Sequence, residues 1–152
     1  MDGFHLANAT LDRLGSHSRK GAIDTFDGWG YLALLRRILA ETANTVYAPA
    51  FDRSVDEPVA GSIAIEPSAR LVVTEGNYLL DDGEPWSLAR QLLVEAWFCE
   101  TAADIRFQRL VERHMRHGRS RDAAEAWARD VDGANATRIE ESAGRADLVV
   151  RF

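Results

Sequence analysis

Lysine is almost absent from this chain. Of its 18 basic residues only Lys20 is a lysine, and the rest are arginine. Any chemistry that needs a lysine must use Lys20 or do without one. Cysteine is equally scarce: the single Cys99 excludes an intramolecular disulfide and a cysteine-based zinc site, and suits the reducing cytosol. No apolar run approaches the roughly 20 residues that span a bilayer, and the first residues carry no basic stretch ahead of an apolar one, the pattern of a secretory leader. Nor is there an excess of positive charge. The 24 acidic residues outweigh the basic ones to give a net charge of −6, which argues against non-specific binding to nucleic acid or anionic membranes. No repeat, low-complexity tract or Pro/Gly/Ser linker marks a boundary.

What remains is the composition of a globular chain. With 152 residues, 46% apolar and 28% charged, it fits one domain with a real core. Ala7 to Leu14 reads as a short helix stopped by Gly15, and 15–27 as a polar loop. Trp29, Leu32, Leu35, Ile38 and Leu39 recur at helical spacing after Asp27, which stands near the N-terminus of that helix. Val46 to Phe51 contains Pro49 and reads as an edge strand, with Ser62 to Ile65 as an accessory strand. Leu71-Val72-Val73-Thr74 is a β-branched run that suits a strand buried on both faces. A helix is expected from Trp86 to Leu92, and a strand from Leu93 to Cys99. Thr101 is expected to cap a helix that ends at Gly118. A further helix runs from about Ser120 to Ser142, broken near Gly133, and a last strand from Asp147 to Phe152. This is the rhythm of an α/β fold with a parallel sheet and crossover helices.

In such sheets ligands sit beyond the carboxyl ends of the strands. Glu75 lies at one such end, followed by Gly76, and an acid there can hold Mg²⁺ beside phosphates; it equally serves as the polar stop of a buried strand. Asp2, His5, Asp24, Asp27, Asp52 and Arg53 fall in loops or at element edges. Carboxylates there can act as general bases or bind hydroxyls, and they also form turns and caps; Asp27 has a full explanation as a cap. Arg106, Arg109, Arg113 and Arg116 share one helix face, suited to phosphate or simply to solvent. His5, His17, His114 and His117 lack a convincing ligand spacing, so no structural metal site is expected.

Taken in order, Met1-Asp2-Gly3-Phe4-His5-Leu6, Lys20-Gly21 through Asp24-Thr25-Phe26-Asp27, Tyr47-Ala48-Pro49-Ala50-Phe51-Asp52-Arg53, Glu75-Gly76-Asn77-Tyr78-Leu79-Leu80 and Arg109-Leu110-Val111-Glu112-Arg113-His114 resemble the phosphoribulokinase/uridine kinase family of P-loop kinases. The likeness is greatest to its nucleoside/nucleotide kinase-like, fructose-transport-system kinase-like branch, and it covers essentially residues 1–150. It implies a P-loop NTPase-type three-layer α/β fold with a parallel sheet, and transfer of the γ-phosphoryl of ATP, with Mg²⁺, to a hydroxyl of a nucleoside, sugar or related small acceptor. By the resemblance Asp2 is the general base and lies near Mg²⁺, and Glu75 supports the metal. Phe4 and His5 line the acceptor pocket. Lys20 and the segment Asp24 to Asp27, Phe26 included, form the acceptor loop. Tyr47, Asp52 and Arg53 belong to another substrate-side segment, and Asn77 and Tyr78 continue the wall after Glu75. Arg109 and Arg113 match a lid helix that neutralises the transferring group, and Asn135 lies near the nucleotide.

One departure is plain. The family's phosphate loop is Gly-x-x-x-x-Gly-Lys-Ser/Thr, with backbone N–H groups cradling phosphate and the lysine reaching the β and γ oxygens. None of the eleven glycines here is followed by lysine. In the family that loop precedes the Met-Asp-Gly-Phe-His motif, within a strand–loop–helix–strand unit of about thirty residues or more. Residues 1–152 therefore read as the larger C-terminal part of a single kinase domain, N-terminally truncated, with Met1 an internal methionine of the family. Such a chain is expected to be weak or inactive by itself. A non-catalytic acceptor-binding or regulatory module is the alternative, and a Mg²⁺-dependent phosphohydrolase is disfavoured because no paired-aspartate motif stands out.

Overall fold

Asp27 sets the start of the longest helix in the first half of the molecule. The structure, a computed structural model, describes all residues 1–152, which divide into two compact units, 1–94 and 95–152. In the first unit the elements are α1 (Asn8–Leu14), α2 (Gly28–Ala40), β1 (Val46–Asp52), β2 (Glu57–Ile65) and α3 (Trp86–Arg90). Gly15 ends α1 in the left-handed conformation, at φ 65°, as its position after Leu14 predicts. The Asp27 carboxylate accepts the Gly30 N–H (2.8 Å), and this cap compensates for the two glycines in the first turn of α2. Gly28 is required where it stands, because a Cβ there would lie 2.8 Å from the Pro85 ring and 2.9 Å from the Trp86 ring.

Tyr31, Leu32 and Leu35 form the buried stripe of α2. They join Leu11, Val46, Tyr78 and Trp86 in a core whose aromatic rings meet edge-on or tilted: Phe26–Tyr78 at 5.7 Å, Phe26–Trp86 at 6.3 Å and Tyr31–Trp86 at 5.8 Å between centroids. Trp29 and Leu39, which the helical periodicity also assigns to the core, are exposed. β1 and β2 pair antiparallel from Val46↔Ile65 to Asp52↔Glu57, with the register slipping between Ala48 and Ala50. Pro49, which has no N–H for the ladder, sits at the slip.

The Leu71–Thr74 run differs from its sequence reading. It is neither a strand nor buried: Leu71 is 80% exposed and Val73 83%. A strand exists only where neighbours take up its N–H and C=O groups, and no segment of 1–152 pairs with this one. Only its end is tied, by the Tyr31 hydroxyl against Thr74 Oγ1 (2.9 Å).

The second unit has β3 (Trp97–Glu100), α4 (Ala103–Arg116), α5 (Arg121–Trp127), α6 (Gly133–Glu141) and β4 (Leu148–Arg151). β3 and β4 are parallel neighbours, Trp97↔Leu148 through Glu100↔Arg151, so the helices between them form the crossover that the sequence rhythm implies. The expected strand from Leu93 begins only at Trp97. Thr101 does not cap α4. The N-cap position falls on Ala102 without a side-chain bond, one residue too late for the threonine. Ser120 does cap α5, accepting the Ala123 N–H (3.3 Å). The break near Gly133 is a π-helical turn at Ala128–Asp132, after which α6 begins. Val111, Ala124 and Ala128 form a small core, with Phe107 and Leu110 packed against it.

Candidate functional site

The first five residues make a tight turn that brings distant segments together. A 3-10 turn spans Asp2–Phe4, and His5 bridges antiparallel to Phe26, with the Leu6 N–H on the Thr25 carbonyl (2.9 Å) and the Asp27 N–H on the Phe4 carbonyl (2.8 Å). Gly3 presses on β1, where a Cβ would lie 2.2 Å from the Pro49 carbonyl oxygen; only glycine allows that approach. The Met1 nitrogen donates to the Glu75 carbonyl (2.5 Å) and lies 3.4 Å from Glu75 Oε1, and the Met1 side chain lies over Gly76. Asp2 and Glu75, far apart in sequence, thus come from adjoining segments.

Asp2 keeps its carboxylate in the open, 45% exposed, with Arg53 Nη2 at 3.5 Å as its ion-pair partner. Glu75 is 85% exposed. Two accessible carboxylates suit a hard cation such as Mg²⁺, which keeps several waters and takes one or two protein carboxylates together with phosphate oxygens. No group of three or more His, Cys, Asp or Glu gathers into a metal cage; Asp2 and Glu75 could hold such an ion with waters and phosphate oxygens completing its shell.

His5 packs against two tilted aromatic rings, Phe26 at 4.0 Å and Phe51 at 5.0 Å between ring centroids. Its Nδ1 lies 2.8 Å from the Asp2 carbonyl. A carbonyl only accepts, so Nδ1 carries the proton. Burial lowers the His5 pKa, and the bond to the Asp2 carbonyl and the nearby Asp2 charge offset only part of that effect. In the neutral ring Nε2 is therefore an acceptor.

The other sequence-derived candidates separate by environment. Asp24 is engaged by Arg19 through two bonds (2.9 and 2.6 Å), and that guanidinium holds its carboxyl below the usual range. Asp27 is the cap of α2. Asp52 accepts from the Ser54 hydroxyl (2.6 Å) and N–H (2.8 Å), which lower its pKa. The Tyr78 side chain is buried, and its hydroxyl donates to the Gly21 carbonyl (2.7 Å). Phe26 is also buried, and Phe4 packs edge-on against Tyr31 at 5.3 Å. Tyr47 and Asn77 are exposed. Lys20 is engaged by Asn8 and Asp56. Asp2, His5 and Arg53 are therefore brought together by direct contact, with Glu75 beside them. Asp24, Asp27, Asp52, Lys20 and Tyr78 have partners within the fold.

In the second unit Arg109 and Arg113 line an open groove of about 330 Å³ on α4, with Thr101, Arg106, Leu110 and Arg116. Arg106 pairs with Glu140 (2.7 Å). Arg109 and Arg113 form no ion pair and are exposed. Two guanidiniums one helical turn apart form a surface for a phosphate or another anion. Asn135, on α6, is half-buried.

Sequence reading missed two features. His114 Nε2 lies 2.7 Å from Asp132 Oδ2, tying α4 to the π-turn, and the Arg119 guanidinium stacks 3.9 Å over the Trp127 ring. Neither has a signal in linear spacing: the π-turn takes Asp132 out of α-helical phase, and Arg119 and Trp127 meet across the turn between α4 and α5.

No protein-family model matches the chain. Among individual proteins, it is 41% identical over 148 residues to the ATP-dependent kinase-like protein notR′ of Aspergillus versicolor, spanning 91% of this chain and 86% of that one. Its structure is similar to that of a Silicibacter protein named as a fructose transport system kinase, with TM-score 0.90 and 38% identity over 99% of this chain and 72% of that one. It also shares the fold of YFH7 from Saccharomyces cerevisiae, described as a P-loop containing kinase with a circular permutation; here the TM-score is 0.82 at 22% identity, over 100% of this chain and 56% of the yeast chain. No helix is long and apolar enough to cross a membrane. The α/β fold is that of P-loop kinases, and the chain belongs to the family of ATP-dependent kinase-like proteins.

Proposed function

We propose that residues 1–152 form the acceptor side and the charge-neutralising helix of a small-molecule kinase that transfers the γ-phosphoryl of ATP to a hydroxyl of a nucleoside, sugar or related polyol. The carrying observation is Asp2: an accessible carboxylate on a tight turn, braced by Arg53 at 3.5 Å and adjoining Glu75 through Met1. In this reading Asp2 accepts the proton of the attacking hydroxyl, while the unpaired Arg109 and Arg113 stabilise the charge spread over the transferring oxygens. Mg²⁺, held by Asp2 and Glu75 with the nucleotide, would supply further neutralisation. Phe4, His5, Phe26, Tyr47, Asn77 and Tyr78 form or support the acceptor wall, and Asn135 lies near the nucleotide.

The same reading treats 1–152 as one kinase domain whose phosphate-binding loop lies outside these residues. Two observations support it. No glycine here precedes a lysine, and the Leu71–Thr74 run has its apolar side chains uncovered, as a sheet strand without its neighbour would. The localisation that accords with this chemistry, and with a single unpaired cysteine, is the cytoplasm.

A second reading is favoured by the engagement of the only lysine: the chain is an acceptor-binding or regulatory module without turnover. Calorimetry with a panel of nucleosides and sugars, each with and without ATP and Mg²⁺, separates the two. Acceptor binding strengthened by nucleotide supports the kinase reading. Acceptor binding with no nucleotide binding in any in-frame extension of the chain supports the module.

A further inference from the structure

The ammonium group of the lone lysine is matched by three acceptors and an aromatic ring. Lys20 Nζ donates to Asn8 Oδ1 (2.6 Å), to the Asp56 carbonyl (2.6 Å) and to Asp56 Oδ2 (2.8 Å), and the Phe51 ring covers it with its centroid 4.9 Å away. Three N–H groups thus meet three acceptors, with the Phe51 ring alongside as a cation–π neighbour. The side chain is 11% exposed. A planar guanidinium is larger and spreads its donors in one plane, so it cannot take this set of partners. In a chain that uses arginine for every other basic position, lysine here follows from the geometry.

The acceptors all belong to one joint, the meeting of the α1 N-terminus with the β1–β2 turn. Asp56 is the only non-glycine residue with positive φ, 55°, a left-handed conformation unfavourable for a residue with a Cβ. Its carbonyl receives Asn8 Nδ2 (3.1 Å) as well as Lys20. Next to it, both Glu57 carboxylate oxygens accept the Asn8 N–H (3.0 Å each). The turn held in this way carries Arg53, whose guanidinium reaches Asp2 Oδ2. Arg53 and Asp2 are half-exposed and have little other restraint, so their separation is set by where the turn is held.

We infer that Lys20 is a positioning residue: it latches the β1–β2 turn onto α1 and thereby sets Arg53 against the Asp2 carboxylate, without itself touching the acceptor. The latch stands on the hydrogen bonds alone; its consequence for catalysis rests on the reading of Asp2 as the acceptor base. The β1–β2 turn then owes its position to a largely covered ammonium, and substrate discrimination falls to Asp2, Arg53 and His5.

The test is residue-resolved amide exchange by NMR on the 152-residue chain, comparing wild type with Lys20→Met and Lys20→Arg. Charge-assisted bonds of this kind protect their partners on the order of tenfold or more. Both variants should therefore speed exchange at Asn8, Ser54 and Glu57 by that factor and leave Phe98 and Val150 in β3–β4 unchanged. Unchanged exchange at Asn8 in Lys20→Met, or full protection in Lys20→Arg, overturns the latch. Should Lys20→Met fail to fold, acylation of the wild-type lysine decides instead: a rate at least about tenfold below that of free lysine supports burial, and a rate equal to free lysine refutes it.

Where phosphoryl transfer is measured, Lys20→Met and Asp56→Gly should both lower kcat with little change in the acceptor KM, and neither should add to the loss in Arg53→Ala. A rise in acceptor KM for Lys20→Met alone would make Lys20 a substrate ligand and refute the inference. Absence of any transfer by the protein expressed from its longest in-frame reading, despite bound ATP, would remove the kinase reading and leave the exchange result to decide the latch.

Discussion

Removing the Asp27 carboxylate tests whether that residue serves the helix or a substrate. Asp27 Oδ1 accepts the Gly30 N–H at 2.8 Å, and the turn it caps begins Gly28-Trp29-Gly30. Glycine in a helix is about 1 kcal/mol worse than alanine, so this turn has little stability of its own. Asp27→Ala leaves the Gly30 donor without its partner and should cost about 1 kcal/mol. Asp27→Asn keeps an accepting oxygen and loses only the favourable charge at the helix N-terminus, about 0.3–1 kcal/mol. For a chain of this length 1 kcal/mol moves Tm by roughly 2–4 °C. Chemical denaturation followed by tryptophan fluorescence should therefore rank wild type above Asn and Asn above Ala, with acceptor binding nearly unchanged. Equal midpoints for wild type and Asp27→Ala would refute the cap. Loss of acceptor binding in both variants at unchanged stability would make Asp27 a ligand.

Three further outcomes follow. Gly3→Ala drives a Cβ to 2.2 Å from the Pro49 carbonyl oxygen and should cost about 1–3 kcal/mol, read as a lower denaturation midpoint. Tyr78→Phe removes the donor to the part-buried Gly21 carbonyl (2.7 Å) and should cost about 1–2 kcal/mol; a neutral result would mean that the carbonyl finds water. His5 has a lowered pKa in the folded chain, so the unfolded chain binds the proton more readily. Stability should be fully present above the unfolded value of 6.5, fall as the pH drops toward the folded value and level off below it. His5→Phe should flatten the difference in denaturation midpoint between about pH 7.5 and about pH 5, and an unchanged slope would assign it to other groups.

What could be read from the sequence depended on whether a feature was local. The helix after Asp27, the stop at Gly15, the helix start near Ser120 and the Pro49 edge strand are all set by residues within a few positions of one another, and the structure has them. Leu71–Thr74 was misread because its composition reports how a run behaves when flanked by strands, and no partner lies within 1–152. Lys20 stood out as the only lysine, but its partners Asn8 and Asp56 lie 12 and 36 residues away, and nothing in spacing connects them. Tyr78 and Phe26 have the composition of a pocket wall and of a core alike. Their ring contacts with Trp86 place both in the core of the first unit. Asp2 and Glu75, in contrast, were placed by motif order, and the turn at Met1–His5 brings them to adjoining segments.

The central claim is that the Asp2 carboxylate takes the acceptor proton in phosphoryl transfer from ATP. Its most direct measurement is mass-spectrometric detection of phosphorylated product from a panel of nucleosides and sugars. The protein should be expressed from its longest in-frame reading, supplied with ATP and Mg²⁺, and compared with its Asp2→Asn variant. Transfer to at least one acceptor is expected, with kcat lowered about 10²–10⁴-fold in Asp2→Asn and nucleotide binding retained. Equal rates for the two proteins, or no transfer to any acceptor despite bound ATP, would contradict it.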